Sequence, residues 1–131
     1  MRIHPRIRLY GDTSFRGKCP SEKAEQITFV ARVRKTPYGA LLVHPRNEGK
    51  RTARQISTEK AEGLTTGAAD IIIPGSPAFV CELKKRYGAR LEPEQTQYLL
   101  LAQDAGAFVC VALGCDAAWE AYQDWLHTSM N

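Results

Sequence analysis

The chain is short of the residues that zinc sites, disulfide frameworks and imidazole catalysis need. Its four cysteines, Cys19, Cys81, Cys110 and Cys115, include no Cys-x-x-Cys pair, and Cys81 and Cys110 lie inside apolar runs. They read as reduced structural thiols of a cytosolic protein rather than as metal ligands or bridges. The three histidines, His4, His44 and His127, are scattered, which leaves no pair poised for metal-independent acid/base cleavage of RNA. Apolar runs span only a handful of residues, and the basic N-terminus has no apolar stretch behind it. Neither a membrane span nor a signal peptide is expected, and the location expected is cytoplasmic. Internal repeats and low-complexity segments are also absent.

What is present fits one α/β domain. At 131 residues the chain is long enough to bury roughly two-thirds of its unfolded surface. The net charge is +4 and the pI about 9.0, with the excess placed early: Arg2, Arg6, Arg8, Arg16, Lys18, then Arg32, Arg34, Lys35, Arg46, Lys50, Arg51 and Arg54. That balance suits a polyanionic partner.

Residues 1–20 read as an N-terminal arm or edge strand, and 21–131 as the domain proper. Ser21 caps a first helix, with Glu22, Glu25 and Gln26 in its first turns and Ile27, Val30, Ala31 and Val33 as its apolar side. Thr36-Pro37-Tyr38-Gly39 ends that helix. Residues 40–44 predict a short strand stopped by Pro45, and 46–68 a long polar excursion. Residues 69–73 and 78–84, joined by Pro74-Gly75-Ser76-Pro77, predict a β-hairpin. A helix starting at Glu92-Pro93-Glu94 carries Leu91, Tyr98, Leu99, Leu101 and Ala102 at helical spacing and ends at Gly106. Residues 107–113 predict a fully buried strand, parallel to the one before the helix. Asp116 is expected to cap a last helix whose Trp119, Tyr122 and Trp125 form core or dimer interface rather than a base-stacking platform.

The hairpin concentrates the charge. Strand residues two apart share a face, so Glu82 and Lys84 project together from an otherwise apolar strand. With a loop of about three residues, Asp70 falls opposite Glu82, and two carboxylates and an ammonium converge.

This order of elements, with Asp70 and Glu82-Leu83-Lys84, resembles the PD-(D/E)XK nuclease fold. Within it the chain is similar to the VRR-NUC group, particularly its small stand-alone phage and prophage members. The likeness rests on Glu22-x-x-x-Gln26, on residues 44–51 (HPRNEGKR), on Gly63-Leu64-x-x-Gly67-x-x-Asp70, and on Glu82-Leu83-Lys84 followed by Gln95. It covers roughly residues 21–125. One departure is Ala69, where the family usually has proline before the aspartate; it removes no ligand.

The resemblance implies a restriction-endonuclease-like core, α-β-β-β-α-β, with a mixed sheet flanked by helices and a C-terminal helix added. It implies Mg²⁺- or Mn²⁺-dependent cleavage of DNA phosphodiesters by a homodimer selective for branched DNA, as in Holliday-junction resolvases. Asp70, Glu82 and the Leu83 carbonyl would be metal ligands, and Lys84 would orient water or steady developing charge. Glu22 would complete the acidic cluster, although Glu25 lies one turn away and competes for that place. Gln95 would hold a water or phosphate oxygen, or else is a solvated helix residue; Gln26 has the same standing. His44 is a phosphate contact or a strand-end core histidine. Arg46, Asn47, Lys50, Arg51 and Arg54 would hold the DNA backbone without reading sequence. The alternative function is a catalytically silent DNA-binding module of the same fold.

Overall fold

The computed structural model describes residues 1–45 and 51–130, with side chains through Thr128. A four-stranded sheet is ordered β1-β4-β3-β2, from β1 (Arg8–Tyr10), β2 (Ile71–Ile73), β3 (Phe79–Lys84) and β4 (Phe108–Leu113). Strand β3 pairs antiparallel with β2 and parallel with β4, and β4 pairs parallel with β1. Both central strands are buried along their whole length, as their unbroken apolar sequences require. Helices α1 (Glu22–Val33) and α4 (Cys115–Met130) cover one face, packing Phe29, Val33, Tyr122 and Trp125 on Phe79, Cys81, Leu83 and Cys110. Helix α3 (Pro93–Asp104) lies on the other, where Leu99 meets Val80, Val109 and Val111.

Two sheet neighbours are unlike the expected scheme. Residues 40–44 do not form a strand: Pro37–Leu41 is a 3-10 turn, and only Val43 bridges Ile72, edge-on to β2. Gly39 sits so close to the end of α1 that a Cβ there would stand 2.2 Å from the Val33 carbonyl oxygen, which bends the chain before it can extend. The other outer position belongs to the N-terminal segment, whose β1 is held by Tyr10 Oη donating to Asp124 (2.7 Å) and Arg6 pairing with Asp104 (2.7 Å). The order is therefore β-α-α-β-β-α-β-α, with helix α2 (Ala53–Ala61) inside the stretch expected to be irregular.

In α1 the buried stripe is Glu25, Phe29 and Val33, whereas Ile27 is 60% exposed and Ala31 is also exposed. In α3, Leu101 points outward and Leu99 inward. Asp116 is not the cap of α4, which begins at Cys115. Of the aromatic stripe, Tyr122 and Trp125 are core, their rings 6.0 and 5.6 Å from that of Phe79, with Trp125 Nε1 donating to the Pro77 carbonyl at 2.9 Å.

Candidate active site

The hairpin register brings the charged groups together. Ile71 pairs with Cys81 and Ile73 with Phe79, so the next step outward sets Asp70 beside Glu82, although the loop is longer than three residues. Asp70 Oδ2 accepts from the Leu83 N–H at 3.0 Å. The Lys84 carbonyl is taken by the Gly114 N–H, on the β4 side. Because strand carbonyls alternate in direction, that of Leu83 lies on the Asp70 side.

Glu82 is 1% exposed, and among the described residues no N–H or O–H group donates to either of its carboxylate oxygens, whose acidic neighbour is Asp70. Burial pushes its carboxyl up to about 10, the neighbouring Asp70 adds to the shift, and Lys84 pulls against it. An ionised carboxylate without donors is costly in such a place. The neutral acid, able to donate to Asp70, is the favoured form until a cation replaces its proton. Lys84, 6% exposed, extends its Nζ to Gln95 Oε1 at 3.2 Å. That oxygen also accepts from the Glu92 N–H at 2.9 Å, so the first turn of α3 fixes the amide that holds the lysine.

The two candidate glutamates of α1 point to different places. Glu25 is buried and accepts from the Cys115 N–H at 2.7 Å, placing its charge at the positive end of α4. Gly114 makes room for it: a Cβ there would lie 2.4 Å from Glu25 Oε2, on a backbone with φ of +96°. Glu22 instead lines two adjoining clefts, of about 260 and 570 Å³, together with His44 and Asp70. Its charge is a lesser contributor to the raised Glu82 carboxyl.

His44 Nδ1 is 2.6 Å from the Asp70 carbonyl oxygen and 3.1 Å from Gln26 Nε2. A single ring nitrogen either donates to the Asp70 carbonyl or accepts from the Gln26 amide, and the shorter contact is the one to the backbone that carries Asp70. Gly67 does similar work from the other side. Its φ is +80°, and a Cβ would stand 2.5 Å from the Glu94 carbonyl oxygen, so the loop before Asp70 lies directly on the first turn of α3 as only glycine allows. Thr66, Glu92 and Glu94 also line the smaller cleft with Gln95; nothing in the local pattern around Thr66 or Glu94 marks them for that place.

The expected DNA-contact residues are less gathered. Arg46, Asn47 and Lys50 lie outside the described residues. Arg51 pairs with Glu59 of α2, and Arg54 is exposed on that helix along a separate groove with Thr58 and Glu62.

A cation fits this donor set in one manner. Among the described residues no group of three or more His, Cys, Asp and Glu side chains is arranged to hold a metal. Two carboxylates, a main-chain oxygen and waters remain, which is the kind of set that Mg²⁺ accepts. The buried oxygens of Glu82, which no donor among the described residues meets, are the feature that such an ion would satisfy.

No family model and no curated relative matches the chain. Among solved structures, one described as a "VRR_NUC domain protein" superposes with a TM-score of 0.66, covering 84% of this chain and 91% of that one, at 19% sequence identity. Among the described residues no helix is long and apolar enough to cross a membrane. An α/β fold with a mixed sheet flanked by helices, built as in that VRR_NUC domain protein, is therefore the fold of this chain.

Proposed function

We propose that the protein is a metal-dependent endodeoxyribonuclease of the VRR-NUC group, acting as a homodimer on branched DNA in the manner of a Holliday-junction resolvase. The observation that carries the reading is the meeting of Asp70, Glu82 and Lys84 at one end of the sheet, with the Glu82 oxygens buried and met by no donor among the described residues. A salt-bridged surface pair would instead lie in solvent with its charges matched.

Asp70, Glu82 and the Leu83 carbonyl would hold Mg²⁺ or Mn²⁺. When bound, the ion supplies Lewis-acid stabilisation of the phosphoryl oxygens and a more acidic water. Lys84, held by Gln95, places a cation beside the reacting phosphate, to orient the attacking water or offset charge as it develops. Glu22, across the cleft, orders water on the side facing the nucleophile. His44 acts by donating to the Asp70 carbonyl, with Gln26 beside it, and remains exposed enough to meet a phosphate as well. Two sites related by a two-fold axis would cut a four-way junction, itself nearly two-fold symmetric, in step.

The test is cleavage of a labelled synthetic four-way junction against linear duplex of the same sequence, with Mg²⁺, Mn²⁺ or EDTA. Junction cutting that needs metal supports the whole reading. Equal cutting of both DNAs keeps the nuclease and removes the junction preference, and binding without cleavage in any metal leaves the silent DNA-binding module.

A further inference from the structure

The proposed centre leaves a second group of cations unused, and it lies next door. Leu113, the register partner of Lys84, borders a cavity of about 160 Å³ lined also by Arg16, Lys85, Arg86 and Tyr87. At roughly 30 Å³ per water, that space admits a phosphodiester. Its cations come from two distant segments, the N-terminal arm and the stretch leaving β3. Among the described residues none of the three has a carboxylate within ion-pair distance; the pairs formed there are those of Arg6, Arg51 and Arg90.

The group is organised by its own contacts. The Arg16 guanidinium donates to the carbonyls of Thr13 (3.0 Å) and Phe15 (2.8 Å) and lies 5.1 Å from the Tyr87 ring centre. Arg86 lies 4.9 Å from the ring centre of Phe15. Cys19 Sγ contacts the Tyr87 carbonyl at 3.8 Å, fastening arm to strand end. Stacked guanidinium groups keep donors free at their edges while losing freedom of movement. Asp12, which Arg16 helps to hold below the usual carboxylate range, and Asp116 and Glu120, which share a second groove with Arg86, offset part of this charge, but among the described residues none of them closes an ion pair, so the edges of the three cations stay open to an anion on the cavity side.

We propose that Arg16, Lys85 and Arg86, with Tyr87, form a second phosphate subsite that holds the backbone of the bound DNA. The inference rests on the nuclease reading for its substrate. Lys85 to Tyr87 follow Lys84 directly, and three extended residues reach at most about 10 Å. At 3.4 Å of rise per nucleotide, this subsite grips the strand about one to three nucleotides from the phosphate that is cut. The N-terminal segment is thereby part of the DNA grip as well as of the sheet.

The experiment measures DNA affinity in EDTA by fluorescence anisotropy at several salt concentrations, for wild type, Arg16→Ala and Lys85→Ala/Arg86→Ala, with Lys35→Ala as a charge control and circular dichroism as a check of folding. Each lost phosphate contact lowers the salt slope by about 0.9. The double variant is expected to lose nearly two units of slope and about tenfold in affinity at 0.1 M salt, with kcat at saturating DNA within twofold of wild type. Changes no larger than those of Lys35→Ala overturn the subsite, as does a wild type that binds no DNA. Inorganic phosphate that occupies the pocket without competing with DNA would assign it to a free anion instead and also overturn it. If the slope falls as expected and wild type nevertheless cuts nothing, the subsite stands and the nuclease reading fails.

Discussion

Replacing Glu82 by glutamine should make the metal-free protein more stable at neutral pH, the reverse of the usual outcome in a core. Burial, with Asp70 beside it, pushes the folded carboxyl up to about 10 from an ordinary value of 4.5. Between these limits the folded state keeps a proton that the unfolded chain releases. The stability tied to Glu82 is therefore complete below about pH 4.5 and declines as pH rises toward 10, by about 1.4 kcal/mol per unit. At pH 7 the loss is on the order of 3 kcal/mol. Glutamine keeps the shape and a donor for Asp70 but does not titrate. Urea unfolding in EDTA between pH 5 and 8 should show Glu82→Gln gaining on wild type as pH rises, approaching that 3 kcal/mol at neutrality. Added Mg²⁺ should then stabilise wild type, by displacing the proton, and leave the variant unmoved. A variant with the same pH slope as wild type, or one that loses stability relative to it as pH rises, would refute the reasoning.

Other substitutions separate scaffold from site. Glu25→Gln should cost about 1–2 kcal/mol in unfolding experiments, since it weakens a charged cap on α4, while kcat stays within a few-fold; Glu22→Gln should do the reverse, leaving stability nearly unchanged and lowering cleavage about tenfold or more. Gly67→Ala combines a left-handed backbone with a Cβ against the Glu94 carbonyl and should cost about 2 kcal/mol or more, seen as a lowered urea midpoint. Lys84→Met should reduce kcat about 100-fold with little change in metal-free DNA affinity, and Gln95→Ala should fall between it and wild type in single-turnover assays.

What was legible in the sequence followed from strong local signals. Pro74-Gly75-Ser76-Pro77 between β-branched runs fixed the hairpin, and through it the Asp70 and Glu82 register. The unbroken run 107–113 gave β4. The missing pieces are those in which packing overrides pattern. Leu41, Leu42 and Val43 have strand propensity, but the contact of Gly39 with α1 turns the chain first, and only Val43 reaches the sheet. Helix α2 buries no residue fully, so no apolar periodicity marks it; its signal is the capping box of Thr52 and Gln55, readable as Thr-x-x-Gln. Phe29 was hidden because the stripe that contains it begins with the buried charge of Glu25. Between Glu22 and Glu25, helical spacing alone did not decide, since the partner of Glu25 is a backbone N–H ninety residues away.

The central claim is that Asp70, Glu82 and Lys84 form a metal-dependent phosphodiesterase centre. Single-turnover cleavage of a branched DNA with Mg²⁺ or Mn²⁺, by wild type, Glu82→Ala and Glu25→Gln, tests it most directly. The account predicts cutting by wild type and Glu25→Gln that EDTA abolishes, and none by Glu82→Ala. Metal-dependent cutting that survives Glu82→Ala would contradict it.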